Sequence, residues 1–210
     1  AAIADLKLIT GGSGIALGLP ENFRRAGLLA PSDAADALPI VHGPAAVIAG
    51  SCSTATLAQV AAMRARRPVF DIDPLALADG ADAVGAALDF AAREMAGGPV
   101  LISASAPPEQ VRRVQERLGR ERAGALVETA LAEIASRLVA RGVRRLVVAG
   151  GETAGAVVKA LGIKGLLIGS QIDPGVPWTA SLGDKPLLIA LKSGNFGGVD
   201  FFLRSFSLLP

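Results

Sequence analysis

The sequence predicts an α/β protein, a layered αβα arrangement around a mostly parallel sheet with an antiparallel hairpin at its C-terminal end. Three observations carry that expectation. Short continuous apolar runs alternate with longer stretches of helical periodicity. The runs lack an in-out alternation of apolar and polar residues, as suits strands covered on both faces. Near the C-terminus the pattern changes to two apolar runs joined by Gly183-Asp184-Lys185, a turn-forming tripeptide.

The expected strands cover residues 6–10, 45–49, 68–72, 100–104, 145–149 and 165–168, with the hairpin at 178–182 and 186–191. Helices are expected between them. Residues 54–66 place Leu57, Val60, Ala61 and Met63 at helical spacing, and residues 81–95 do so with Val84, Leu88 and Phe90. Pro107 and Pro108 open a helix to Leu118, with Ser105 as its cap. Residues 122–141 read as a long amphipathic helix carrying Leu126, Leu131, Ile134, Leu138 and Val139, ended by Gly142. A short helix at 154–161 closes at Gly162. No internal repeat or linker is visible, so residues 1–210 read as one domain.

Composition narrows the function classes. About half of the residues are apolar (51%), enough for a substantial core. The formal net charge is only +2 and there is no Tyr, which argues against a nucleic-acid surface built on basic charge and stacking rings. Two arginine clusters, Arg64, Arg66 and Arg67 and then Arg112, Arg113, Arg117, Arg120 and Arg122, read as solvated helix faces. No apolar run reaches the ~18 residues of a membrane span. The single cysteine, Cys52, forms no internal disulfide and reads as a small buried filler in a reducing compartment, with a reactive thiol as the alternative. With no signal peptide at the start, a cytoplasmic protein is expected. The chain opens Ala1-Ala2-Ile3 without Met, directly before a strand-like run, which suggests a piece of a longer protein. The only histidine, His42, lies in a Pro/Gly-flanked loop and reads as a surface residue, so a Ser-His-Asp or Cys-His centre finds no support. His and Cys are too few for a metal site built on them.

In open α/β sheets ligands sit beyond the C-terminal ends of the strands. Four Gly-, Ser- and Thr-rich segments are expected there. Thr10-Gly11-Gly12-Ser13-Gly14 suits a tight turn as well as a ligand contact. Gly50-Ser51-Cys52-Ser53-Thr54 runs from strand to helix, where free N–H groups and hydroxyls attract an anion. Ser53 or Thr54 equally suits a helix N-cap. Gly150-Gly151-Glu152-Thr153-Ala154-Gly155 lacks the Walker spacing and its terminal Lys, yet sets two glycines, a carboxylate and a hydroxyl at one helix mouth. Glu152 there suits ribose hydroxyls, a metal, or the helix dipole. Lys192-Ser193-Gly194-Asn195-Phe196-Gly197-Gly198 combines a strand-end cation with exposed backbone N–H groups, a phosphate nest.

Taken together these motifs resemble the four-carbon acid sugar kinase family. The resemblance rests on Val148-Ala149-Gly150-Gly151-Glu152-Thr153-Ala154-Gly155-Ala156-Val157, on Ile172-Asp173-Pro174-Gly175-Val176-Pro177-Trp178, and on Leu191 to Gly198 followed by Asp200-Phe201-Phe202. The first two Gly/Ser segments and Ala16-Leu17-Gly18-Leu19-Pro20 extend it over nearly the whole chain in the family's order. Members have an N-terminal domain that binds the sugar acid, with an Asp-Asp-x-Thr-Gly motif, and a C-terminal domain that binds ATP. That motif is missing here, so the resemblance implies the second domain alone. It implies ATP contacts at Ser51, Gly151, Glu152, Thr153, Ala154 and Gly194. Ser53 is added from its loop, and Lys192, for the phosphates, from its place at a strand end.

The function expected is the ATP-binding half of a kinase for 3-oxo-tetronate or a related acid sugar, with Mg²⁺ carried by the nucleotide phosphates. It is expected to be inactive without its N-terminal substrate domain, which would supply the base. Self-association stays open. The alternative is a non-catalytic nucleotide or sugar-phosphate module, and a structural role leaves the polar loops unexplained.

Overall fold

Seven of the apolar runs pair into one sheet. The structure, a computed structural model, describes residues 6–209. The chain divides between Ala37 and Leu38 into two units.

In the first unit residues 6–12 carry no regular structure, so the strand expected at 6–10 is absent. A strand needs a neighbour for its backbone groups and a face to bury. Leu6 is 58% and Leu8 85% exposed, and no ladder reaches them among the described residues. A 3₁₀ turn follows at Ser13–Gly18, then the short helix α1 (Leu19–Arg25), where Arg25 donates to Glu21 at 3.0 Å. The first Gly-rich segment thus belongs to this unit. The residues Ala1-Ala2-Ile3 lie outside the described ones.

The second unit runs β1 (Ala45–Ala49), α2 (Thr54–Arg64), β2 (Val69–Asp71), α3 (Pro74–Ala78), α4 (Ala83–Glu94), β3 (Val100–Ser103), α5 (Pro108–Leu118), α6 (Arg120–Ala140), β4 (Arg145–Ala149), α7 (Gly151–Ala160), β5 (Leu166–Asp173), β6 (Val176–Ser181), β7 (Leu188–Lys192) and α8 (Phe201–Ser207). The sheet order is β2-β3-β1-β4-β7-β6-β5. The first five strands in that order are parallel, and β6 and β5 are antiparallel to their neighbours. The hairpin expected near the C-terminus is β6–β7. The run at 165–168 is longer than expected and is an antiparallel edge strand, paired with β6. Its Leu167 and Ile168 stay 48% and 67% exposed.

Each parallel strand feeds both faces of the sheet, since successive side chains point to opposite sides. Ala46, Ile48, Ile102, Val148 and Ile189 pack against Leu88 of α4, Leu131 and Ile134 of α6 and Val157 of α7. Val47, Ala49, Leu101, Val147 and Ala190 pack against Val60 and Met63 of α2 and Phe201 and Phe202 of α8. This is the three-layer αβα arrangement.

Local signals set most helix ends. Ser53 caps α2 by accepting from the Thr56 N–H at 3.2 Å, and Asp73 caps α3 through Leu75 at 2.8 Å. Gly142 and Gly162 follow α6 and α7 with φ of 105° and 63°. Ser105 does not cap α5. Pro107 holds that position without a side-chain bond, and the Ser105 hydroxyl is buried with no partner. The helix starts at Pro108, so Ser105 stands two residues before the N-cap position, and its N–H donates to Ser103 Oγ at 3.1 Å. Cys52 is exposed rather than buried, because its loop rises above the strand ends. His42 is exposed, as its flanking residues suggest.

Candidate nucleotide site at the strand ends

The adjacent strands β1 and β4 send the chain to opposite faces, β1 into α2 and β4 into α7. Their loops must diverge, which opens a crevice at the C-terminal end of the sheet. Hydrogen bonds tie the loop bases together just before they part. The Gly50 and Ser51 N–H groups donate to the Ala149 carbonyl at 3.0 and 3.2 Å, and the Gly150 N–H donates to the Lys192 carbonyl at 2.8 Å. The loops after β1, β4 and β7 therefore meet at one place, and Ser51, Ser53, Gly151, Glu152, Thr153, Ala154, Lys192 and Gly194 converge there.

A cleft of about 1420 Å³ opens from this point across β1 and β3. Gly50, Ser51, Cys52, Ser105, Gly150, Gly151, Glu152 and Thr153 line its floor, and Gln110, Arg113, Arg120, Glu121 and Glu128 line its α5–α6 wall. Two arginines of the second cluster thus border the cleft. Their signal in the sequence is charge alone, which does not separate a cleft wall from a solvated face.

On the β4 side, Gly150 adopts φ 126°, ψ 133°, a region open in practice to glycine only. The chain thereby turns straight from the strand into α7. No side chain caps that helix, so its first N–H groups face the cleft mouth as donors for an anion. Thr153 is 4% exposed and lies against the backbone of Gly50 and Gly150. Glu152 sits in the first turn. Burial, and then the charge of Glu152, push the Glu128 carboxyl above its ordinary value. Among the described residues no three His, Cys, Asp or Glu side chains gather around a common point fit for a metal ion.

On the β7 side, a Cβ on Gly194 would stand 2.3 Å from Ser51 Oγ and 3.1 Å from Ser53 Oγ, so only glycine lets the two loops close on each other. Ser51 Oγ accepts from the Ser53 N–H at 3.2 Å. Lys192 is fully buried. Its ammonium donates to Thr56 Oγ1, the Ser193 carbonyl and the Gly194 carbonyl at 3.1, 3.0 and 3.0 Å. All three of its donors are engaged inside the protein. Burial lowers its pKa to about 8. Thr56 and Gln59, which no sequence motif marks, also bond to this loop; their places three and six residues after Ser53 are the only signal for them.

Residues 46–202 match the family described as the nucleotide-binding C-terminal domain. The chain is 62% identical to a Burkholderia multivorans 3-oxo-tetronate kinase over 99% of its own length and 48% of that protein. A solved Haemophilus influenzae protein superposes with a TM-score of 0.83 at 33% identity, covering 100% of this chain and 50% of that one. A Bordetella bronchiseptica domain, solved with bound citrate as a domain-swapped dimer, gives a TM-score of 0.61 at 25% identity over 78% of this chain and 40% of its own. The chain spans about half the length of the curated relatives it matches.

Proposed function

The chain belongs to the nucleotide-binding C-terminal domain family, and on that premise we propose that it is the ATP-binding half of a kinase that phosphorylates a four-carbon acid sugar, 3-oxo-tetronate or a close relative. The observation that carries this reading is the meeting of three glycine loops at the crevice between β1 and β4, with the uncapped N-terminus of α7 on one side and the loop after β7 on the other.

Phosphoryl transfer asks a protein mainly for positioning and for neutralisation of phosphate charge. In this reading the N–H groups of Gly151, Glu152 and Thr153 hold phosphate oxygens, and the Ser51 hydroxyl and Gly194 close the other side. The adenosine extends along the cleft floor. Mg²⁺ arrives with the nucleotide, and Glu152 is the carboxylate placed to meet it or its waters. The acid sugar and the base that takes its proton belong to residues outside this chain. The domain swap of the Bordetella relative supports self-association as a further property to test.

Titration calorimetry with ADP and ATP in Mg²⁺ tests the binding. Saturable binding is expected for the chain. Turnover is tested on the intact protein with ATP, Mg²⁺ and four-carbon acid sugars. Nucleotide binding without conversion of ATP to ADP in the presence of any such sugar would favour a non-catalytic nucleotide module, and absence of binding by a folded protein would remove both readings.

A further inference from the structure

We propose that Thr56, Gln59 and Lys192 are positioning residues for the nucleotide phosphates, which act by turning five carbonyls of the 193–198 loop inward so that the N–H groups of Gly194 and Asn195 are presented. This rests on the nucleotide reading above. None of the three is expected to touch the ligand.

The geometry is specific. Ser53, Thr56 and Gln59 succeed one another at three-residue spacing and form a stripe along α2. The Gly194 carbonyl accepts from Ser53 Oγ, Thr56 Oγ1 and Lys192 Nζ at 2.6, 2.9 and 3.0 Å. Gln59 Nε2 lies 3.1, 3.0 and 3.0 Å from the carbonyls of Phe196, Gly197 and Gly198. With Ser193, five carbonyls of one short loop converge on three buried side chains. Gln59 keeps this arrangement although its own Oε1 is buried without a partner, a costly condition for a group that served packing alone.

Peptide planarity then sets the direction of the donors. Across a trans peptide the N–H of each residue points opposite to the carbonyl before it. Carbonyls turned toward Lys192 and Thr56 at Ser193 and Gly194 therefore send the N–H groups of Gly194 and Asn195 away from those side chains, on a loop whose Gly194 lies against Ser51 at the crevice. The next turn is anchored separately, with the Gly198 N–H donating to Asp173 at 3.0 Å and Asp173 paired with Arg204. The ammonium of Lys192 orients dipoles here and lends its charge to the phosphates only through them.

The test is calorimetric titration of ADP, and of adenosine, into the wild-type protein and the variants Thr56→Val and Thr56→Ser, with urea unfolding as the fold control. Thr56→Val keeps the shape and removes the hydroxyl. It is expected to weaken ADP about tenfold, the scale of one hydrogen bond to an oriented group, and to leave adenosine within about twofold. Thr56→Ser is expected to restore ADP binding. If Thr56→Val does not fold, Lys192→Met carries the same comparison. Equal losses for ADP and adenosine, or a folded variant that binds ADP like the wild type, would overturn the inference while leaving the nucleotide reading intact. Failure of the wild-type protein to bind ADP would instead remove the reading on which it rests.

Discussion

Residues 150–153 and residues 193–198 leave neighbouring strands and border the same crevice, yet they are shaped by opposite means. The first loop is shaped locally. A single glycine in a conformation reserved to glycine swings the chain into α7, and the helix supplies the donors. The second is shaped from a distance. Its carbonyls are bonded by side chains 137 to 141 residues earlier in the chain, together with Lys192 at its own base. The first should respond to changes in backbone freedom, and the second to changes in buried polar groups on another element.

The sharpest contrast comes from Gly194→Asp. Its Cβ would enter the space of Ser51 Oγ, and a carboxylate would stand among the phosphate donors. ADP binding is expected to fall by about 100-fold or more, measured by calorimetry on a variant whose urea midpoint confirms its fold. Retained binding would place the nucleotide on the α7 side alone.

Gly150→Ala probes the local loop. The φ of 126° forces strain on any side chain, and the new Cβ would lie 3.0 Å from Thr153 Oγ1 and 3.2 Å from the Ser51 N. A stability loss of about 1–3 kcal/mol is expected in urea unfolding, with weaker ADP binding beside it. An unchanged midpoint would show that this turn can relax.

A pH series with Lys192→Met separates the two loops without touching the ligand. Burial lowers the Lys192 ammonium from 10.5 to about 8. Between those values the unfolded chain holds more protons than the folded one, so this residue's contribution to stability rises with pH across that window. Below pH 8 both states are charged and the cost of the buried charge is carried in full. Wild-type protein is expected to gain stability relative to Lys192→Met from pH 8 toward 10.5. A parallel course would mean that the ammonium is better solvated than its burial implies.

The smallest effect is expected from Glu152→Gln. The change removes a charge that raises the Glu128 pKa, so Glu128 should titrate closer to its ordinary range, as read by NMR. ADP affinity without Mg²⁺ should rise by less than about threefold, since the charge is exposed and screened. A loss confined to Mg²⁺-containing buffer would assign Glu152 to the metal.

The same contrast explains what could be read in advance. The β4–Gly150–α7 turn is visible in sequence because strand, glycine and helix are contiguous, and so are most strands and helix ends. The bonding of 193–198 is not visible. A Ser, a Thr and a Gln on a helix look like ordinary polar residues until the topology lays α2 beside the end of β7. Lys192 shows the converse. Its place at a strand end suggests a phosphate ligand, and its internal bonding becomes visible only in the packing. The run at 6–10 fails for want of a neighbour, since apolar pattern alone does not supply one. Ser105 fails because the helix opens at Pro108, two residues later than a cap at Ser105 requires.

The edge strand β5 has a bearing on how this chain behaves at high concentration. Its outer side faces no further strand among the described residues, and Leu167 and Ile168 stand exposed within it. Such a border is a template on which another polypeptide can add itself by strand pairing. The two irregularities in its register, between Ile168 and Gln171 and between Gln171 and Asp173, break the flat stretch that such growth requires. Self-templating should therefore start at the regular end, near Leu167, and a charged side chain there is the simplest safeguard for keeping the isolated chain in solution.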